Sequence, residues 1–235
     1  MLLTGQSIIP PWMFVMSNTH STDSITQPRW QRRPEARREE ILEAAQQVFG
    51  DCGFARAKLD EVARLAGVSK GTLYLYFDSK ETLFREVVRA KIVALLAESE
   101  ALVDAHVGSC RDLLVQLITG MFGSMRDREI MKISRVAQAE FASFPELAQF
   151  YFHEVIVRAR RLVAQVLQRG IEAGEFRAIP YGFGARALPS LLVHSVQVQS
   201  WFRPLDPQAL SDDETLEGLI DFCLHGVLAP PASSS

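Results

Sequence analysis

The stretch Leu59–Glu81, LDEVARLAGVSKGTLYLYFDSKE, decides the fold. Leu59, Val62, Ala63 and Ala66 recur at i, i+3, i+4 and i+7, one face of a helix. Gly67 breaks that helix, and Ser69 is a good N-cap for the next one. The pair reads as a helix-turn-helix, in which the first helix braces a second that enters the major groove. Val62, Ala63, Ala66, Val68, Leu73 and Phe77 make the inward set. Ser69, Lys70, Gly71, Thr72, Tyr74 and Tyr76 are left for the opposite face. Lys70 is a flexible cation able to reach guanine O6/N7 or a phosphate, and Gly71 holds nothing away from DNA. Thr72 offers a hydroxyl and a methyl, and the two tyrosines are long, rigid donors.

Immediately upstream, Pro34 suits a first helical turn. Ile41, Ala45, Val48 and Phe49 form one apolar face, and Gly53 ends that helix. Downstream, Asp78 and Glu81 have the spacing of a capping box, predicting a fourth, long helix to about Asp104. Lys80 lies at its start, placed for a phosphate. Arg29, Arg32, Arg33, Arg37 and Arg38 form a cluster suited to neighbouring phosphates. Helix–glycine–helix pairs also arise within ordinary bundles, and tyrosines often pack. Here turn, cap, Lys-Gly-Thr–Tyr–Tyr face and Asp-Ser-Lys-Glu start occur in one unbroken stretch, which favours DNA.

The rest of the chain shows helical period throughout, with helices near 110–125, 128–143, 146–173, 183–202 and 212–228. Pro145, Gly174, Pro180, Pro204 and Pro207 supply boundaries, and Pro189 either kinks a helix or starts one. The fold class is therefore all-α. The expected division is an extension over 1–30, a helix-turn-helix domain over 31–79, a helical effector-binding and dimerisation domain over 80–229, and a frayed tail over 230–235.

Charge agrees with a DNA-facing end. The net charge of −3 is unevenly spread: residues 29–92 hold 13 Lys/Arg against 10 Asp/Glu, and the remainder 12 against 18. A basic N-terminal third on an acidic body is expected when one end meets phosphate. Cys52, Cys110 and Cys223 are three, far apart and without a CxxC pair, so they read as small hydrophobes of a reduced, cytoplasmic setting. No apolar run reaches membrane-spanning length. The apolar start is broken by Pro10-Pro11 and lacks a basic n-region, which argues against a signal peptide; Met16 is an alternative start. Neither HxH nor HExxH occurs, so no metal and no cofactor is expected.

Residues 34–82, from REEILEAAQQVFGDCGF through AGVSKGTLYLYFDSKETLF, resemble the DNA-binding head of the TetR/AcrR family of transcriptional regulators. The resemblance implies an all-helical homodimer of about nine helices per subunit, a palindromic double-stranded operator, and a C-terminal body that senses a small hydrophobic or amphipathic effector. It places Lys58, Ser69, Lys70, Gly71, Thr72, Tyr74, Tyr76 and Lys80 at DNA. Family members commonly start the second helix with Thr or Ser; Lys58 stands there, so the cap is lost at about 1 kcal/mol.

By the same resemblance, Met121, Phe122, Met125, Met131, Phe152 and Trp201, with Arg135, Gln138 and His153 as polar groups, are the candidate effector-binding residues. Leu188, Leu191, Leu192, Leu216, Leu219, Ile220, Cys223 and Val227 are the candidate dimer interface. Periodicity alone does not separate these from core. The function expected is a ligand-released repressor. The alternatives are a non-specific architectural DNA-binding dimer and a helical enzyme using the C-terminal pocket, the latter without a nucleophile–base pair or phosphate loop in the sequence.

Overall fold

The computed structural model describes residues 32–228 of the 235. The expected 1–30 extension, Arg29 and the 230–235 tail lie outside the described residues, as do the side chains of Arg32 and Arg33. Nine helices follow one another among the described residues. They are α1 (Arg32–Arg56), α2 (Leu59–Leu65), α3 (Lys70–Tyr76), α4 (80–105), α5 (Cys110–Arg126), α6 (Arg128–Glu140), α7 (145–172), α8 (Tyr181–Phe202) and α9 (Asp212–Val227). Two of them carry a π-helical segment, Arg89–Val93 in α4 and Phe152–Val157 in α7. All packing described below lies within residues 37–228.

The turn chemistry explains the head. Gly53, at φ 78, kinks α1, and Phe54 is thrown inward beyond it. Gly67, at φ 64, ends α2: Val68 N–H donates to the Ala63 carbonyl at 2.9 Å, the six-to-one closure that needs a left-handed residue. Lys58 precedes α2 in extended backbone and makes no side-chain cap. The cap of α4 falls one residue later than the Asp78–Glu81 spacing predicts. Ser79 takes it, its hydroxyl accepting from Thr82 N–H at 3.0 Å, because its extended backbone (φ −150) turns the side chain onto the free amides. Pro189 neither starts nor ends α8, which runs through it.

Two apolar clusters hold the chain. The first joins Ile41, Phe49, Phe54, Val62, Leu73, Phe77, Phe84 and Val88 of α1–α4 to Ile133, Ala137, Leu147, Tyr151 and Val155 of α6 and α7. Phe54 is its hinge pin. Its ring lies 5.3 Å from Phe84 and 4.9 Å from Phe144, both edge-on. Each such pair adds roughly 0.5–1.5 kcal/mol beyond area burial. The helix-turn-helix thus has no separate core. The second cluster packs α5, α7, α8 and α9 through Leu114, Ile118, Val163, Leu167, Leu192 and Leu224. Cys110 and Cys223 are buried in it as free thiols, as expected for small hydrophobes.

Candidate functional site: a recognition helix and an adjoining cavity

Helix α3 is seven residues long, and its first turn is built from its own side chains. Ser69 Oγ accepts from Thr72 N–H at 3.0 Å and lies 2.8 Å from Thr72 Oγ1. Leu73 and Phe77 are buried beneath the helix. Lys58, Ser69, Lys70, Gly71 and Tyr74 are exposed, with Thr72 half-buried beside them. One long polar face is left without protein cover.

Three predicted DNA-facing cations are otherwise engaged. Lys70 Nζ lies 2.6 Å from Asp60 Oδ1, and that hydrogen bond raises the lysine pKa. Lys80 Nζ donates to the Ala55 carbonyl at 3.1 Å and sits 4.7 Å from the Phe54 ring centre. Arg38 pairs with Glu86 and stacks over Phe77. Of the predicted arginine cluster, the two members with described side chains are paired: Arg37 with Glu40, and Arg38 across α1 onto α4. Tyr76 is half-buried and packs on the first apolar cluster, because it falls on the flank of α3 that turns toward the core. Leu75, missing from the sequence-based set, is 85% exposed on the same short helix. Its apolar identity concealed it.

Beyond the head, α4–α8 surround a cavity of about 880 Å³. Among the predicted effector residues, Met121, Met125, Met131 and Gln138 line it. The other five do not. Phe122 is buried in the second cluster. Phe152 is exposed beneath the Arg160 guanidinium, and His153 is exposed beside it. Trp201 is half-exposed with Arg135 over its ring at 5.9 Å. The π-helical segment at Phe152–Val157 carries the reason: it turns Val155 and Ile156 to the cavity and leaves Phe152 and His153 outside. Sequence periodicity of 3.6 does not anticipate such a register change.

The polar groups on the wall were unforeseen. Ser99, Ser134, Arg160, Arg186, Ser190, His194 and Gln197 face the cavity, and no carboxylate does among the described residues. Tyr151 also lines it, its hydroxyl held to a raised pKa by burial. Ile92, Leu96, Phe141, Tyr151 and Val155 belong both to this wall and to the apolar cluster that holds the helix-turn-helix. A smaller cavity, about 550 Å³, adjoins it and shares Met125 and Met131. Arg126, Arg128, Lys132, Arg135 and Arg203 surround that second space.

The predicted interface residues are placed inside one chain. Leu188, Leu192, Leu219, Cys223 and Val227 are buried in the second cluster, and Leu191, Leu216 and Ile220 pack against it. They are the inward stripes of α8 and α9. The outward stripes expose Phe183, Trp201, Phe202 and Phe222 instead.

The sequence model for the tetR family of bacterial regulatory proteins matches residues 41–87. That for the AefR-like transcriptional repressor C-terminal domain matches residues 112–225. Over 146 residues the chain is 30% identical to the HTH-type transcriptional repressor KstR2 of Mycolicibacterium smegmatis, covering 62% of this chain and 70% of that protein. The chain belongs to the TetR family.

KstR2 of Rhodococcus jostii is 26% identical over 196 residues, 83% of this chain and 92% of that protein. A solved structure of a regulator assigned to the TetR family, from Mesorhizobium loti, superposes with a TM-score of 0.68 at 23% identity, over 84% of this chain and 99% of that one. The fold is thus the all-helical TetR fold, and the helix-turn-helix of α2 and α3 is the DNA-binding unit of a transcriptional regulator of the TetR type. No helix among the described residues is long and apolar enough to cross a membrane.

Proposed function

We propose that this TetR-family chain is a homodimeric repressor of a palindromic operator, released when a lipophilic effector fills the 880 Å³ cavity. The observation that carries the reading is the shared wall: Ile92, Leu96, Phe141, Tyr151 and Val155 serve cavity and head together. A ligand pressing on them acts on the same apolar cluster that holds Phe84 and Val88 of α4. It does so without a wire of intermediates, since close-packed interiors respond by discrete repacking.

The energetics suffice. Moving a regulator from almost wholly DNA-competent to almost wholly incompetent takes about 5.5 kcal/mol of differential affinity. At about 0.8 kcal/mol per buried methylene, some seven methylenes contacting only the incompetent state would supply it. The cavity volume falls in the usual range for ligand sites, about 300–1,000 Å³.

On this reading Ser69, Lys70, Gly71, Thr72 and Tyr74 meet DNA, with Lys58 on an adjacent phosphate. Lys80 acts mainly by holding α4 against the α1 turn. One short recognition helix reads few base pairs, so two copies about 34–36 Å apart are needed for specificity. The outward faces of α8 and α9, through Phe183 and Phe222, supply the dimer contact. Gly218 and Gly226 leave open space beside Phe222 for close approach of a partner helix.

The experiment is fluorescence anisotropy with DNA from the chain's own promoter region and with a scrambled duplex, at two salt concentrations. Specific, salt-sensitive binding, weakened more for promoter than for scrambled DNA by Tyr74→Ala, is expected. Equal affinity for both duplexes would instead favour a non-specific architectural role.

A further inference from the structure

We propose that the second cavity is a phosphate-recognising subsite, so that the effector is a long amphiphile with its apolar part in the larger cavity and a phosphorylated head among the arginines. This rests on the larger cavity being the effector site.

Arg126, Arg128, Lys132, Arg135 and Arg203 converge on one small space. Asp212 answers two of them, pairing with Arg126 and with Arg203, the latter at 3.0 Å. Glu129 answers Lys132 at 3.3 Å. Arg128 and Arg135 have no carboxylate partner among the described residues. Like charges gathered around a concavity repel one another, and low-dielectric walls sharpen the field. Such a group is stabilised by an anion carrying more than one charge, and guanidinium forks fit phosphate oxygens bidentately.

Arg135 is also incompletely hydrogen-bonded. Arg135 Nε is buried and has no hydrogen-bond partner, although its terminal nitrogen donates to Ser200 Oγ. A buried donor left unpaired carries a desolvation cost, and the rest of this side chain lines the second cavity.

Geometry then joins the two spaces. Met125 and Met131 line both cavities, so the partition between them is two flexible thioether side chains. Helix α8 runs past both, from Arg186 on the first to Arg203 on the second. That is about 25 Å at 1.5 Å per residue. The first space is lined mostly by apolar side chains, Ile92, Leu95, Met121, Ile130 and Val193 among them. A ligand threading past the methionines therefore meets hydrocarbon and then fixed positive charge. Fatty acyl thioesters of coenzyme A are of this chemical class.

The test uses the full-length protein and three probes: palmitoyl-coenzyme A, palmitate and free coenzyme A. Binding is read by isothermal titration, and release by anisotropy of labelled promoter DNA. Palmitoyl-coenzyme A should bind at least tenfold tighter than palmitate. Arg128→Gln and Arg135→Gln should each weaken it about tenfold and leave palmitate unaffected. Arg160→Gln serves as the comparison, since Arg160 lines the larger cavity and not the second.

If Arg160→Gln causes the loss while Arg128→Gln and Arg135→Gln do not, the head lies elsewhere and the subsite is overturned. Equal binding of thioester and palmitate, indifferent to all three variants, overturns it too while leaving the larger cavity as effector site. If neither acyl probe binds or releases DNA, the effector reading of the larger cavity fails, and the subsite with it. Thermal melting of each variant checks folding, which the exposed Arg128 is not expected to disturb.

Discussion

Ser69 does two jobs that one pair of substitutions separates. Its hydroxyl caps α3 at 3.0 Å from Thr72 N–H, and its exposed edge is the first part of the recognition helix that DNA would meet. In Ser69→Ala the cap is gone, at about 1 kcal/mol. A helix of seven residues has little else of its own to hold it, since it forms too few hydrogen bonds to offset the entropy cost of nucleation. Leu73, fully buried, ties the helix to the head core, so the loss should appear globally as a melting temperature lower by about 2–4 °C. Operator affinity should fall about fivefold if α3 must be ordered to bind. In Ser69→Asp the cap is kept, because Asp ranks with Ser at that position, and the carboxylate gains about 0.3–1 kcal/mol from the helix dipole. Its stability should match or exceed the parent, while its DNA affinity falls further than that of the alanine variant, through repulsion from phosphate. Calorimetric melts and promoter anisotropy measure the two quantities side by side. Full DNA affinity in Ser69→Asp would refute the placement of this helix end at DNA, and an unchanged melt with unchanged Thr72 amide exchange in Ser69→Ala would refute the cap.

Asp60→Asn releases Lys70 from its 2.6 Å partner and removes a negative charge from the same face. Binding to any duplex should strengthen severalfold with a steeper salt slope; unaltered binding would show that Lys70 does not reach phosphate. Phe222→Asp changes a side chain that is 69% exposed, so the chain should stay folded yet sediment as a monomer. A dimer of undiminished strength would exclude the outward face of α9. The Glu175 carboxylate accepts from Cys110 N–H at 3.0 Å and Arg111 N–H at 3.1 Å, closing the start of α5. These amides lower its pKa, so the ionised form is favoured in the folded state. Its contribution is complete above the ordinary carboxylate range and disappears as pH falls below it. Glu175→Gln should therefore destabilise at neutral pH and melt like the parent in strong acid, which a pH series of thermal melts checks.

The candidate site was legible unevenly. The Ser69 cap, the Gly67 turn and the buried Leu73 and Phe77 could be read because each depends on residues within a few positions of one another. The cavity could not. Arg160, Arg186, Ser190 and His194 meet there only because α7 and α8 pack side by side, at a closeness set by Gly184: a Cβ there would lie 2.8 Å from Leu167. Ordinary surface arginines have the same sequence signature. The π-helical segment in α7 rotated Phe152 and His153 out of the cavity they were expected to line, and the apolar stripes of α8 and α9 turned inward as core.

By itself, then, the sequence determined the helices, the Ser69 cap and most of the polar face of α3. Helix period, capping and turn geometry are short-range, and the residues responsible are neighbours in the chain. Tertiary structure alone decided which apolar stripe is core, which cations are already bound, and which side chains face empty space. Those outcomes follow from distant segments competing for the same volume. The Lys80 contact across the α1 turn, and the meeting of Arg203 with the α6 stripe of Arg128, Lys132 and Arg135, owe nothing to spacing in sequence. They exist because packing brings residues far apart in the chain to one place.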